Sequence, residues 1–291
     1  MQVDKKNALT GALVSDAAAL GLHWLYDQEQ IARVESTGSV LFRQPDSNIY
    51  DGQKGYFAQG GRQAGQLSHY GESARLVGEL CLTGRYSTDA HRQAFLAAFG
   101  PCGTFNGYAD RPTKALIAQI LVEADKVEDP SGIDDDQMPG LCPVPGVFAE
   151  GLPLETILEA VQVISTNKQV MESATIVSNC LESLADGMPL TQALTQSAQS
   201  GTGTIHGLIN EAIERSEYSP LAVATHYSLA CHVPQGMPIA WHLLYHADSF
   251  EMAVRDNIRC GGDSCGRSMI IGSIAAMAFD IPAHLRSQTN Y

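Results

Sequence analysis

CGGDSCGR, residues 260–267, is the strongest local signal in this chain, and it leads directly into the small and apolar run SMIIGSIAAMAF at 268–279. Paired glycines let the backbone turn sharply and approach a ligand closely. Asp263 or Ser264 can then cap the helix that the apolar run predicts. A carboxylate thus meets the positive end of a helix. The pattern fits either a turn that approaches a ligand or a plain glycine-rich helix–helix turn with an ordinary cap, and it leaves both interpretations open.

Arg267 lies in the first turn of that predicted helix. A cation there opposes the helix macrodipole and is normally avoided. We therefore expect Arg267 to have an anionic partner, either a nearby carboxylate or a bound phosphate, since a guanidinium group suits both.

Apolar residues recur at helical spacing along the chain, whereas strand alternation hardly appears. One stripe holds residues 76, 77, 80 and 81, and another holds 116, 117, 120 and 121. Further helices are predicted over 8–22, 88–98, 153–164, 168–185, 204–215, 219–231, 237–247, 249–259 and 265–278. Asp248 and Glu251 have the spacing of a capping box for one of them. With no linker or internal repeat, the pattern predicts one compact all-α domain over residues 1–291.

Two regions, residues 35–65 and 125–151, lack this periodicity. Long irregular segments inside a compact domain are often functional lids, although a solvated surface loop is the more frequent case.

Composition excludes several classes of protein. Of the 291 residues, 44% are hydrophobic and 17% are charged, so the chain can bury a core and is not disordered. A net charge of −14 opposes broad nucleic-acid binding. Residues 218–247 hold no Asp, Glu, Lys or Arg, but four His and three Pro favour two core helices joined by a turn over a membrane span. The seven cysteines form no CxxC pair, which favours a reducing, cytoplasmic location.

Two more segments gather polar side chains at predicted helix starts. SHYGES at 68–73 combines an imidazole, a phenol, a carboxylate and hydroxyls, and FNGYADR at 105–111 follows a glycine-bearing loop. The second could present backbone N–H groups and Asn106 to a ribose or a phosphate. Helix capping and a simple turn are the plainer explanations. His242 and His246 lack the Glu of an HExxH motif and are interpreted as packed or surface histidines.

Taken in order, GALVSDAAALGLHWLYD at 11–27, SHYGES, FNGYADRPTK at 105–114 and CGGDSCGR resemble the ADP-ribosylglycohydrolase family over nearly the whole chain. The resemblance is closest to the branch containing J-crystallin and selenoprotein J, which also favours a His-Trp-hydrophobe-Tyr-Asp segment, a Tyr-Gly-acid segment and a GGDS segment ending in Arg. It implies an all-α, orthogonally packed domain. It also implies a cleft in which two Mg²⁺ ions help to cleave the bond between ADP-ribose and its acceptor.

This sequence departs from the family's metal motifs. The resemblance places the Thr-Asp-Asp-Thr motif at residues 70–73 and the end of the GGD-x-Asp-Thr motif at 263–266, where only Glu72 and Asp263 are acidic. Gly71 offers no side chain, and Cys265 is a soft ligand where Mg²⁺ prefers hard oxygen. Asp27 is a third carboxylate by its place in the first segment. The implied metal ligands are thus Asp27, Glu72 and Asp263, for one Mg²⁺ ion rather than two, or for none.

The resemblance implies a hydrolase of an ADP-ribosyl or related N- or O-glycosidic bond, with Glu72 and Asp263 as catalytic residues. The implied substrate is small-molecule or protein-linked ADP-ribose. The implied substrate contacts are His69, Tyr70, Ser73, Asn106, Gly107, Asp110, Ser264 and Arg267.

Because metal ligands of the family are missing, two other functions stay open. The chain could be a catalytically silent relative that binds a nucleotide or serves as a crystallin-like structural protein. It could also hydrolyse a different ribosyl or glycosyl substrate at a one-metal or metal-free site. For Arg267 we hypothesise that it replaces one metal ion, by pairing with Glu72 or Asp263 or by binding a ligand phosphate.

Overall fold

Two helices without a polar face lie at the centre of the computed structural model, which describes residues 3–122 and 132–290. They are α1 (Lys6–Ala19) and α14 (Ser264–Ala278), both rich in small and apolar residues, and nearly all of their residues are buried. A helix that is apolar all round is stable only inside a protein. The two pack tightly at Gly11 and Gly272: a methyl group on Gly11 would lie 2.2 Å from the carbonyl oxygen of Gly272.

Thirteen more helices surround this pair in the described residues: α2 (Gln28–Ser36), α3 (His69–Leu82), α4 (Thr88–Phe99), α5 (Arg111–Val122), α6 (Pro143–Ala149), α7 (Leu154–Ile164), α8 (Lys168–Ala185), α9 (Leu190–Gln199), α10 (Thr204–Glu214), α11 (Pro220–Tyr227), α12 (Val233–Tyr245), α13 (Phe250–Cys260) and α15 (Ala283–Arg286). Short 3₁₀ turns cover Leu20–Leu22, Ser47–Tyr50 and Met138–Leu141. The same residues contain isolated β-bridges but no β-strand. The predicted all-α class is therefore confirmed.

The residues between 218 and 247 form two helices joined by a turn, as predicted. α11 ends at Tyr227 and α12 begins at Val233, and Ser228 between them has a φ of 73°. Pro220 and Pro234 lie in the first turns of these helices, where a missing N–H costs little. In the described part of the chain, no helix has the length and apolarity needed to cross a membrane.

Two local predictions are wrong. Much of the segment 125–151 is not irregular: within its described residues, a 3₁₀ turn and α6 run almost without a break from Met138 to Ala149, while residues 125–131 lie outside the described residues. Prolines are tolerated at the start of α6 because the first helical N–H groups have no intrahelical acceptor. The cap of α13 is Ser249 rather than Asp248, since the Ser249 hydroxyl accepts the Met252 N–H at 3.1 Å.

The close contact of α1 and α14 generates a stability prediction. Gly11→Ala places a methyl group 2.2 Å from a backbone oxygen, so we expect the free energy of unfolding to fall by about 1–3 kcal/mol. Gly207→Ala in α10 is the matched control, because nothing lies within 4 Å of an added methyl group there. The control should gain about 0.5–1 kcal/mol from helix propensity. Urea unfolding of both variants measures the difference, and equal stabilities would contradict the packing.

Candidate active site

A glycine turn joins the start of α14 to the chain that leaves α1. Gly261 and Gly262 have φ angles of 80° and 66°, which favour glycine. Gly262 N–H donates to the Leu25 carbonyl at 2.7 Å, and Trp24 N–H donates to the Gly262 carbonyl at 2.8 Å. The turn that the paired glycines predict is present, and it places residues 23–25 beside the first residues of α14.

Asp263 is the N-cap of α14 and is completely buried. Its Oδ1 accepts the Gly266 N–H at 3.3 Å, whereas Oδ2 has no donor with hydrogen-bond geometry among the described residues. Burial raises the pKa of Asp263, and the charge of Arg267 and the hydroxyl of Tyr70 oppose that rise. The predicted carboxylate is therefore inside the protein, and one of its oxygens makes no hydrogen bond of normal geometry with the described residues.

His23 lies beside Asp263, and the sequence reasoning missed it. Its Nδ1 is 3.7 Å from Asp263 Oδ1 and accepts the Cys265 N–H at 3.2 Å. Nδ1 as acceptor leaves the ring hydrogen on Nε2, which has no partner among the described residues. Burial lowers the pKa of His23 well below its usual value, so the ring is neutral. The only sequence signal was the HWLYD segment at 23–27, in which Asp27 alone was given a role.

His69 and Asp110 form a buried pair from two of the predicted segments. His69 Nε2 lies 3.1 Å from Asp110 Oδ2, although the two residues begin different helices, α3 and α5. Burial raises the pKa of Asp110, but the His69 imidazole and the bonds from Thr113 outweigh it, so the pKa is lowered. Thr113 N–H donates to Asp110 Oδ1 at 2.9 Å. A carboxylate beside an imidazole suits proton transfer, a role more specific than the predicted substrate contact.

Asp16 is a third buried acid besides Asp263 and Asp110, and the sequence reasoning missed it. Ser68 donates to it twice, from the backbone N–H at 2.7 Å and from the hydroxyl at 2.5 Å. The Ser68 hydroxyl in turn accepts the Tyr70 N–H at 3.1 Å and so caps α3. At Gly71 an added methyl group would lie 2.3 Å from Asp16 Oδ2, so this carboxylate requires a glycine there. Asp16 thereby positions the start of α3, which carries His69.

Three further predicted substrate contacts from α3 and α14, Tyr70, Ser73 and Ser264, are buried in the same region as the His69–Asp110 pair. Tyr70 is completely buried, with its ring 4.1 Å from that of His69 and 5.7 Å from that of His23. The hydroxyls of Ser73 and Ser264 are also buried, and within the described residues neither has a hydrogen-bond partner.

Asn106 and Gly107 lie in an exposed loop that the segment 51–67 covers on one side. Arg62 joins the two, because its Nη1 donates to the Asn106 carbonyl at 3.4 Å and its Nη2 donates to the Leu67 carbonyl at 2.6 Å. The same segment reaches Trp24, whose carbonyl accepts the Tyr56 N–H at 2.9 Å. Part of the irregular region 35–65 thus contacts Trp24 and Asn106, and a functional lid and a solvated surface loop both stay open as interpretations of it.

Comparison with known proteins gives a family. The sequence model described as ADP-ribosylglycohydrolase matches residues 5–291. The chain belongs to the ADP-ribosylglycohydrolase family. A solved structure titled "ADP-ribosylglycohydrolase-related protein complex" is similar in fold, with a TM-score of 0.64 and 13% identity over 99% of this chain and 93% of that one. No curated protein matches the sequence.

The metal ligands that family resemblance implied have other partners here. Both Glu72 carboxylate oxygens accept bonds from Arg75 on the same helix, at 2.7 and 3.1 Å. Asp27 caps α2 by accepting the Gln30 N–H at 2.9 Å. Across residues 3–122 and 132–290, no three His, Cys, Asp or Glu side chains converge as a cage for a metal ion. This donor set does not fit a centre of two Mg²⁺ ions.

Arg267 pairs differently from the prediction. Its buried guanidinium donates to the Asn257 side-chain oxygen at 2.8 Å, to the Asn257 carbonyl at 3.1 Å and to the Gly261 carbonyl at 2.6 Å. The described residues show no ion pair from Arg267 to Glu72 or Asp263, although the charge of the buried Arg267 acts to lower the pKa of Asp263. The carbonyl end of α13 carries partial negative charge and supplies acceptors for Nε and Nη2, while Nη1 has no hydrogen-bond partner among the described residues. Binding of a ligand phosphate by Arg267 stays a prediction.

Asp16 generates a prediction about pH. Burial raises its pKa to about 6 against the opposing bonds from Ser68, whereas an unfolded Asp has about 3.8. A raised carboxyl pKa contributes stability that is complete below pH 4 and is lost as pH rises through 6. The loss amounts to about 3 kcal/mol for a shift of this size.

Asp16→Asn should therefore remove this dependence of stability on pH, because an amide does not titrate. The variant should still fold, since its amide can accept from the Ser68 N–H and donate to the Ser68 hydroxyl. Urea unfolding of both proteins at pH 4, 5, 6 and 7 measures it. Parallel stability profiles would show that Asp16 does not titrate in this range.

Proposed function

We propose that this chain is a hydrolase of an ADP-ribosyl or related N- or O-glycosidic bond. The observation that carries the proposal is the buried Asp263 carboxylate, whose Oδ2 makes no hydrogen bond of normal geometry with the described residues and which lies near the Tyr70 hydroxyl and the His69–Asp110 pair. Buried polar atoms normally have partners, and clusters of unpaired ones in an enzyme fold are typical of ligand sites. Family membership supports a hydrolase, and these residues supply acid and base groups for it.

Each acidic group has a role that follows from its surroundings. Asp263, whose pKa is raised by burial, accepts a proton from the attacking water better than an ordinary Asp. Its negative charge also stabilises an oxocarbenium-like transition state. Asp110, whose pKa is lowered, stays ionised and orients His69, which donates a proton to the leaving atom. In this scheme Asp263 stays a catalytic residue, and the second catalytic residue is His69 rather than Glu72.

The ribosyl or phosphate part of the substrate is assigned to the loop of Asn106 and Gly107, with Ser73, Ser264 and Arg267 toward the interior. The substrate class is small-molecule or protein-linked ADP-ribose. The net charge of −14 supports our exclusion of nucleic acid as a partner. All seven cysteines are free thiols, which supports a reducing, cytoplasmic location.

We also propose that the site holds at most one Mg²⁺ ion. Glu72 is engaged by Arg75, Gly71 has no side chain, and one Asp263 oxygen caps a helix. Two ions close together need more carboxylate charge than these residues leave free.

The second candidate function is a catalytically silent, nucleotide-binding or structural relative of the J-crystallin branch. The engagement of Glu72 and Asp27 in purely structural contacts favours it.

Asp263→Asn tests the hydrolase directly. Asn is also a good N-cap, so the variant should fold, while loss of the carboxylate should lower kcat for ADP-ribosyl substrates by about 100-fold or more. Asp186→Asn is the control, because Asp186 is an exposed residue at the end of α8. Steady-state kinetics and thermal unfolding should be measured on both. Unchanged turnover in Asp263→Asn would remove Asp263 from the mechanism, and no turnover in the native protein would favour the silent relative.

Calorimetric titration of metal-stripped protein tests the number of ions. With at most one ion, Mg²⁺ binds at a stoichiometry of one or below, with or without ADP-ribose. A stoichiometry of two that Asp263→Asn abolishes would contradict the proposal.

A further inference from the structure

Three aromatic residues form what we call the aromatic wall: Trp24, Tyr56 and Tyr108. Ring centroids lie 5.4 Å apart for Trp24 and Tyr108, 5.9 Å for Trp24 and Tyr56, and 5.6 Å for Tyr56 and Tyr108. They come from three separate segments of the chain. Trp24 is only 7% exposed, whereas Tyr56 is 54% exposed, so the wall runs from the interior to the surface.

The buried end of the wall lies at the acid and base groups. The Trp24 ring centroid is 4.4 Å from that of His23 and 6.3 Å from that of His69. Trp24 also has a φ of 64°, a left-handed conformation that costs a non-glycine residue about 1–3 kcal/mol. Backbone hydrogen bonds to Gly262 and from Tyr56 hold it there. A strained aromatic residue beside unpaired polar atoms is consistent with a ligand contact.

The positive charge of Lys114 beside the aromatic wall favours a neutral ligand over a cationic one. Lys114 Nζ lies 4.4 Å from the centroid of the Tyr108 ring and makes a cation–π contact. In the described residues Lys114 has no acidic partner, so its charge disfavours a second cation, such as a guanidinium group, at this ring. A neutral planar ring meets no such repulsion and can stack on aromatic side chains.

From these contacts we infer that the aromatic wall holds a neutral, planar heterocyclic base attached to the anomeric carbon of the substrate. This inference rests on the proposed function and narrows its substrate class to small N-ribosyl compounds. Trp24, Tyr56 and Tyr108 are then specificity-determining residues.

The hydrolysis is balanced without another reactant. The water oxygen bonds to the anomeric carbon, and the bond from that carbon to the base nitrogen breaks, with its electron pair going to the nitrogen. His69 gives that nitrogen a proton, and Asp263 takes one from the water. Proton exchange with solvent then restores both groups.

The test compares AMP with ribose 5-phosphate, which differ only by the base. Binding is followed by calorimetry and by tryptophan fluorescence, since the chain has two tryptophans and Trp241 is fully buried in α12. We expect AMP to bind at least about tenfold more tightly and to quench fluorescence, and Trp24→Phe should lose the quenching.

Tyr56→Ser keeps the test valid if Trp24→Phe does not fold, because Tyr56 is at the surface. It should weaken AMP binding about fivefold or more and leave ribose 5-phosphate binding unchanged. Tyr218→Ser is the matched control, since Tyr218 is 46% exposed but lies outside the wall. Equal affinities for the two ligands, or equal effects of Tyr56→Ser on both, would overturn the inference.

Failure of the proposed function gives a different result. If ADP-ribosyl substrates are hydrolysed and Asp263→Asn abolishes turnover, but Tyr56→Ser has no base-dependent effect, the hydrolase stands and the wall inference is overturned. If base-dependent binding is present without turnover of any N-ribosyl substrate, the wall inference about the ligand stands and the hydrolase does not.

Discussion

The backbone hydrogen bonds between Gly262 and residues 24 and 25 are the constraint on which the site depends. They require positive φ angles at 261 and 262, and only glycine adopts these without strain. They also hold the end of the α1 segment against the start of α14. Because of this junction, Oδ1 of Asp263 lies 3.7 Å from Nδ1 of His23. The Trp24 ring lies near the rings of His23 and His69. A side chain at 262 would meet the Leu229 carbonyl at 2.3 Å and separate the elements.

Around this junction the protein buries three carboxyl groups, each stabilised differently. Asp16 accepts two hydrogen bonds from Ser68, and Asp110 lies against His69. The positive charge of Arg267 partly compensates the charge of Asp263, and the Arg267 guanidinium itself donates to carbonyl oxygens. Burying a charge without compensation is expensive, so these partnerships largely decide where protons reside. Asp110 is well compensated and stays ionised. Asp263 is less well compensated, and burial raises its pKa.

The chain has the all-α fold of its family, while the acids that the family resemblance placed at a metal site have other partners here. Glu72, which the family resemblance places among the metal ligands, serves an ion pair along α3. Asp16, which has no place in either metal motif, fills the space that a side chain at Gly71 would need. Within the described residues, the groups that act on Asp263 include the imidazoles of His23 and His69 and the phenol of Tyr70, and one further carboxylate, that of Asp110. This surrounding favours proton transfer and ring stacking over the coordination of several hard cations.

The sequence by itself determined most of the helices, although not α2, α6, α9 and α15, and the chemical character of the key turn, because these depend on neighbouring residues. The apolar stripe in α3 repeats at helical spacing, and the paired glycines before Asp263 select a turn and a cap. Only the tertiary structure decided which polar groups meet. Asp16 and Ser68 are 52 positions apart, and His23 meets Cys265 across 242 positions, so no local pattern records either contact. Arg267 could equally have paired with an acid, and the packing of α13 against α14 gave it carbonyl oxygens instead.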